Sequence, residues 1–510
     1  MANVSRRGFI ATGAVVLSGA PGIVKSAIAQ PPPRKRFNVL SVQGQAALTK
    51  YRQAVQIMKA TGSGTPTNWV FQWYTHAVTG SSTKAAQLNA IYGPNPSPNK
   101  ALATQVWSTC QAHFNPANER FFLPWHRMFV FFLEKICQKA LNDNTFALPY
   151  WNYSSPNAAG IPQGFRLGNN PPNNPLFVQN RNAGVNNGNA IASPGALSAQ
   201  PALTQANYLP TSQAVRGFNE TLDFGLHGNV HVGVGTQTNM GQVPFAANDP
   251  IFWMHHCNID RLWASWNRCG RKNPTNDPSW MSKTFTFANE NGQPVSPAVS
   301  GFDTITELGY TYDFFESVPQ CGPIVLPSPA AAAEVKPTSL VSSSGGPSAA
   351  AAAPGIALGS GPVNVKLRPA PSAAAAAAPT AALGARVEQL ADTSRMYLLL
   401  KNLKASAQPG VLYHVYLDLP SGTSPAAAAG HYVGTINFFD AVPLPDHEGH
   451  AAGAAPADTA KIVSFDVTDV AQRLRAEGRL SDTPNVTIVP DKAPVAQAKP
   501  VIGEIEIVEQ

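Results

Sequence analysis

Apolar positions follow a helical period in the first part of this chain and short strand-like runs near its end. Residues 128–133 are apolar without interruption, and Ile136, Cys137 and Ala140 extend them, so a buried helix is predicted there, beginning after Pro124. Arg127 and Glu134 frame that run, which points to polar partners around it rather than to a plain core helix. Trp69-Val-Phe-Gln-Trp-Tyr-Thr-His76 reads as an aromatic helical face that ends on a histidine. His227-Gly-Asn-Val-His231 sets two imidazoles at i and i+4, on one side of a helix. Asp249-Pro250 reads as a helix start, with Asp as the cap and Pro in the first turn. His256, Asp260 and Trp263 then fall at i, i+4 and i+7, again on one face.

The pattern changes after residue 325. Residues 326–390 are rich in Ala, Pro, Ser and Gly, with alanine runs at 330–333, 349–353 and 373–378, and no sustained apolar period. That composition predicts a linker. Beyond it, 397–400, 411–417, 432–439, 462–467, 486–489 and 502–508 read as strands, and Asp469 as the cap of one short helix through Glu477. An antiparallel β-sandwich is expected over 391–510. Phe438 and Phe439 are adjacent on one strand, so they cannot both face its core.

Composition refines this picture. At 510 residues the chain is long enough for two or three domains. Part of the net charge of +7 sits in residues 6–36, and no basic tract lies elsewhere, which argues against a nucleic-acid partner. Ser5-Arg6-Arg7-Gly8-Phe9-Ile10, a weakly apolar stretch and Ala27-Ile28-Ala29 together read as a twin-arginine signal over 1–29, implying a periplasmic or secreted product. No segment reaches the roughly twenty apolar residues of a membrane span. The five cysteines, odd in number and without a close pair, predict no disulfide framework. Cys257 and Cys269 are placed on one helix about 18 Å apart, too far to bridge.

The candidate chemistry lies in the histidines. Seven of eleven fall between residues 76 and 256, as His76, His113 and His126, then His227, His231 and His256 with His255 beside it. Two groups of three imidazoles are the ligand inventory of a coupled binuclear copper centre that binds dioxygen. A zinc protease would need Glu directly after His227, where this chain has Gly228.

On Phe122-Leu-Pro-Trp-His126-Arg127 through Glu134, on Asp249-Pro-Ile-Phe-Trp-Met-His-His-Cys-Asn-Ile-Asp260, and on Tyr310-Thr-Tyr312, the chain resembles the type-3 copper proteins of the tyrosinase and polyphenol oxidase family. The resemblance covers roughly 35–320 with specific motifs, and 393–510 more loosely. It implies a mainly α catalytic domain over 30–325, with a four-helix-bundle dicopper core, followed by a C-terminal antiparallel β-sandwich domain that shields the copper entrance and keeps the enzyme latent. It implies His76, His113, His126, His227, His231 and His256 as ligands of two copper ions, with O2 as co-substrate. His255 takes a supporting place. His113 stands further from His126 than the family's usual spacing. Some relatives join a cysteine to a ligand histidine by a thioether; Cys110-Gln-Ala-His113 offers such a pair, and a buried free thiol is the alternative.

The implied reaction oxidises small phenols to o-quinones. The family's acidic residue that helps phenol deprotonation corresponds to Asp223, and its water-holding Asn to Gly228, which has no side-chain acceptor. That weakens phenol hydroxylation and leaves catechol oxidation intact. Val243, thirteen before His256, is small and favours an open pocket. An o-aminophenol oxidase and a hemocyanin-like oxygen carrier are the alternatives. Phe438 and Phe439 are the candidate shielding residues, and Asp446-His447-Glu-Gly-His450 a weaker candidate metal contact. An oligomer stays open.

Overall fold

The computed structural model describes residues 32–111, 120–168, 172–319, 321, 338–344, 355–369, 383–423, 429–439, 441 and 461–510. Five helices position the site. They are α1 (Val42–Ala60), α2 (Trp69–His76), α3 (Phe122–Leu141), α4 (Gly228–Val234) and α5 (Ile251–Arg268). α3 packs against both α1 and α5. Its face Met128, Phe129, Leu133, Ile136 and Cys137 is buried, and Phe129 meets Trp253 of α5 with ring centroids 4.4 Å apart. Each such aromatic contributes about 1.5–3 kcal/mol by leaving water.

Two local expectations shift by a residue or two. α3 begins at Phe122, before Pro124, because the first-turn N–H groups have no intrahelical partner for proline to remove. α5 is preceded by Pro250; Asp249 still accepts from Ile251 N at 3.1 Å, but its carboxylate is held mainly by Arg181, Nη2 and Nε each at 2.8 Å.

The polar frame around 128–133 is a buried network. Strand β1 (Arg34–Arg36) pairs in parallel with β2 (Tyr310–Tyr312). Arg36 donates to Glu134 at 2.9 Å, to Asp260 at 3.2 Å and to Tyr312 Oη at 3.0 Å. Arg127 donates to Asp260 at 2.5 Å and lies 3.5 Å over the Trp263 ring. Tyr310 and Tyr312 also donate to Asp260, at 2.7 and 2.5 Å. Burial alone would raise the Asp260 carboxyl, but Arg127 and Arg36 outweigh it and hold it below its usual range.

The second unit is a sandwich of β3 (Thr338–Ser344), β4 (Val363–Lys366), β5 (Arg368–Pro369), β6 (Met396–Leu403), β7 (Tyr413–Leu417), β8 (Tyr432–Ile436), β9 (Lys461–Asp466), β10 (Asn485–Pro490) and β11 (Glu504–Glu509). One sheet runs β8-β7-β10-β4 and the other β9-β6-β11-β3-β5, antiparallel throughout. Leu398, Leu400, Val415, Ile436, Phe438, Ile488 and Ile507 fill the space between them. The expected helix, α6, spans Thr468–Ala476, and Asp466, not Asp469, accepts from its first N–H at 2.9 Å; a second short helix, Leu383–Glu388, packs on it.

Two expectations are corrected. The stretch expected as a linker, 326–390, supplies β3, β4 and β5 to this sandwich. β3 pairs with β11 from Thr338↔Glu509 to Ser344↔Glu504. Backbone hydrogen bonds carry that pairing, and serine-rich sequence sustains them without an apolar signature. Cys269, at the end of α5, is disulfide-bonded to Cys321, so one bridge exists where none was expected. The pair is separated by 52 residues, and only the fold brings it together. Cys110, Cys137 and Cys257 are buried and take no part in that bridge. The signal-like leader lies outside the described residues. No helix among the described residues is long and apolar enough to cross a membrane.

Candidate metal centre

Each candidate ligand is placed by its element. Asn68 caps α2, accepting from Val70 N at 2.7 Å, and eight residues later the helix ends on His76 with its ring in the core. His126 sits one turn into α3. His227 closes a π-helical turn (Leu222–His227) and His231 lies in the α4 helix that continues from it. His255 and His256 lie in α5. All six are buried. His113 lies outside the described residues.

Hydrogen bonds behind the rings orient them. Nδ1 of His126 faces the Phe122 carbonyl at 2.8 Å, and Nδ1 of His231 the Met240 carbonyl at 2.9 Å. Nδ1 of His227 faces the Asp223 carbonyl at 3.3 Å, with the carboxylate Oδ1 of the same residue 2.9 Å away, and Nδ1 of His255 is 3.1 Å from Tyr153 Oη. A ring donating from Nδ1 keeps its Nε2 lone pair for a metal.

Two clusters result among the described residues. His227, His231, His255 and His256 bring one ligand atom each within 4.8 Å of one another, and so do His76, Cys110 and His126. The clusters share a wall, since the His126 and His256 rings stack at 4.3 Å and 10°. Cys110 Sγ is 3.6 Å from His126 Nε2, which places the thiol at the first cluster.

The donor set fits copper. It consists of imidazoles and one thiol, without a carboxylate oxygen in either cluster. Neither ring nitrogen of His256 nor Nε2 of His255 has a hydrogen-bond partner, although both rings are buried. Burial first, and the neighbouring imidazoles second, push both groups well below the usual histidine range, so they are neutral and able to ligate.

Residues 66–269 match the family model described as the common central domain of tyrosinase, and 348–510 match a domain of unknown function. That central segment belongs to the tyrosinase and polyphenol oxidase family. It is 32% identical to tyrosinase HcTyr1 of Hahella sp. (strain CCB-MM4) over 305 residues, covering 55% of this chain and 63% of that one. It is 30% identical to chloroplastic polyphenol oxidase II of Ipomoea batatas over 302 residues, 52% and 47% of the two chains. The chain thus spans less than two thirds of the length of either relative. The structure of latent apple tyrosinase shares the fold with a TM-score of 0.56 at 22% identity, over 94% of this chain and 98% of that one.

The β domain reaches the site through one segment. Phe438 stays in the sandwich core, while Phe439 lies flat on His231, 4.2 Å between centroids at 12°, with its edge to His227 at 5.7 Å. Asn437, which sequence reasoning passed over, inserts beside α4. A Cβ on Gly228 would meet Asn437 Oδ1 at 2.5 Å. Val243 is buried at the start of a short helix (Val243–Ala246) that packs on α2, where Trp73 donates to the Pro244 carbonyl at 2.9 Å. His414 and His431 pair within the β domain, with Thr435 Oγ1 at 2.9 Å and the Leu417 carbonyl at 2.7 Å. The candidate loop with His447 and His450 lies outside the described residues. Tyr153 behind His255 carried no sequence signal, because it is 102 residues away.

Proposed function

We propose that this chain is a dicopper phenol oxidase that uses O2 to oxidise o-diphenols to o-quinones, with weaker ortho-hydroxylation of monophenols. The observation that carries this reading is the shared wall of two buried imidazole clusters, His126 against His256 at 4.3 Å. His76, His113 and His126 would hold one copper, and His227, His231 and His256 the other. A bound copper pair supplies dioxygen activation and accepts the two electrons of a catechol. The chain's own residues do the rest. Phe122, Phe252 and the stacked rings exclude water around the imidazoles. Asp223 holds the His227 ring through Nδ1, and Gly228 offers no acceptor for a water, so help with phenol deprotonation is limited. The Arg6-Arg7 leader suggests export before use.

Phe439 over His231 supports latency, in which the β domain must withdraw before substrate enters. The same contact would suit an oxygen carrier with a permanently closed pocket. One experiment separates the readings. The full-length chain is loaded with copper, its metal content measured, and oxygen uptake followed on 4-methylcatechol and on 2-aminophenol, before and after cutting between residues 322 and 337. Two coppers per chain and catechol turnover that rises on cutting are expected. Stoichiometric copper without turnover on either substrate after cutting would favour the carrier; preference for 2-aminophenol would favour the aminophenol oxidase.

A further inference from the structure

The helical domain carries a second concave surface, lined by none of the clustered imidazoles. A cleft of about 460 Å³ opens to solvent between Arg166, Leu167, Phe177, Gln179, Asn186 and Asn187. Arg181 ties its walls together. That side chain is buried, and besides Asp249 it serves the Phe165 carbonyl at 2.6 Å, the Leu176 carbonyl at 3.0 Å and Asn186 Oδ1 at 3.0 Å. Arg166 supplies the charge. Its Nε donates to the Ile161 carbonyl at 2.5 Å, and its amino groups lie against two glycines. A Cβ on Gly188 would overlap Nη1, and one on Gly160 would stand 3.4 Å from Nη2. A Cβ on Gly168 would likewise meet the Phe177 ring at 2.9 Å, so that ring also rests on bare backbone. No Asp or Glu occurs from residue 144 to 219, nor in α1. Arg52 of α1 stands beside the same loop, its Nη2 3.2 Å from the place of a Cβ on Gly164, and its buried Nε has no hydrogen-bond partner. Burial lowers both arginines from their usual range and no carboxylate offsets it. A guanidinium keeps its proton even so, and one held in place without a counter-charge is a receptor for a planar anion.

The rest of the lining narrows the ligand. Phe177 and Leu167 offer apolar surface, and Leu167 is 41% exposed at the rim. Gln179 and Asn187 are exposed amides, each able to donate and to accept. An inorganic anion would leave most of the cleft empty. An aromatic acid would leave the amides facing a ring edge that has nothing to exchange with them. A pyranose presents C–H groups on its face and hydroxyls around its edge. We propose that this cleft binds a hexuronate, with the carboxylate on the Arg166 fork, the sugar face on Phe177 and the hydroxyls on Gln179 and Asn187. Because the cleft is open at its rim, the bound ring can be a free sugar acid or one unit of an acidic polysaccharide. The site stands apart from the copper reading and does not depend on it.

The test uses the full-length chain, with D-galacturonate, methyl D-galactopyranoside, benzoate and sulfate as probes, and reads Kd by titration calorimetry and ligand-observed NMR. Galacturonate is expected to bind about tenfold or more tighter than the neutral galactoside, as charge-assisted hydrogen bonds allow, and tighter than benzoate or sulfate. Arg166→Gln should bring the two sugars to nearly equal Kd. Gly188→Ala keeps the charge but fills the space of Nη1, so it should erase the preference as well. Phe177→Ala should weaken both sugars by a similar factor and leave their ratio standing. Undetectable or equal binding of the two sugars by the unmodified chain, or a preference that survives both Arg166→Gln and Gly188→Ala, would overturn the site. Benzoate or sulfate bound as tightly as galacturonate would overturn the sugar assignment. Copper-loaded and copper-free protein should bind alike; a requirement for copper would move the ligand to the metal centre and overturn the proposal. Trigalacturonate separates the two sources, and both sustain the site: tighter binding than the monomer assigns it to a polysaccharide, equal binding to the free acid.

Discussion

The helical domain and the β domain treat the same site in different ways. Around the clusters, Arg36, Arg127, Glu134, Asp260, Tyr310 and Tyr312 tie β1 and β2 to α3 and α5, and Asp260 alone accepts from four of those side chains. The β domain instead bears on the metal pocket through a short stretch, Asn437 to Phe439, with Lys461 beside it. Its other contacts are spread over the surface: Ser464 Oγ on the Ala214 carbonyl at 2.6 Å, and the Gln408 carbonyl on Gln237 Nε2 at 2.6 Å. A metal cradle must hold its geometry through each turnover, so redundancy suits it. Under the proposed latency a cover must leave, and few side chains over the pocket make that attainable.

The largest expected effect is on the cradle. His256→Ala should remove one of the two coppers and bring catechol oxidation to background, measured by metal analysis and oxygen uptake, while the β domain's unfolding transition stays where it was. Retained copper and activity would remove the site assignment and the contrast with it. Next, Asp260→Ala should cost the helical domain about 3–5 kcal/mol, because it leaves the buried Arg127 guanidinium without its carboxylate, while Arg36 keeps Glu134. Denaturant unfolding followed by the tryptophans reads this, and a loss below about 1 kcal/mol would mean that the network is not what holds the cradle.

On the cover, Phe439→Ala should raise catechol turnover of the uncut chain about tenfold, since losing a stacked aromatic contact weakens closure by roughly 1–2 kcal/mol. Unchanged turnover would move the shielding role elsewhere in the β domain. Gly228→Asn should act in the same direction, because its side chain takes the space of Asn437. In cut protein the same substitution should raise tyrosine hydroxylation more than DOPA oxidation; equal changes would show that the position acts through docking alone.

The smallest effect is on pH dependence, and its sign differs between the domains. Asp260 has a folded pKa below its unfolded value of about 3.9, so its contribution is present above that value and is lost as pH falls through the depressed one. Burial raises Asp418 and Asp491 in the β domain, so their favourable contribution is complete below about pH 4 and is lost as pH rises through the raised values. Calorimetry from pH 6 to 4 should show the β transition rising slightly while the helical one falls, because the buried neutral rings of His255 and His256 resist protonation. A parallel fall of both transitions would contradict the assignment of these groups.

Much of the site was legible along the chain, for local reasons. A helix repeats every few residues, so His227-x-x-x-His231, the face of His256, Asp260 and Trp263, and the aromatic run ending at His76 announced both element and orientation. Strands rich in β-branched and aromatic residues announced the sandwich, and the adjacency of Phe438 and Phe439 required one of them to leave its core. What only the tertiary structure decided depends on contacts between residues far apart, which leave no period to read. It selected Phe439 as the ring over His231, set Asn437 into the space left by Gly228, joined Cys269 to Cys321, and put Tyr153 behind His255. It also drew residues 338–369 into the sheets, since strand pairing there runs through backbone groups that every residue except proline offers in full, whatever its side chain.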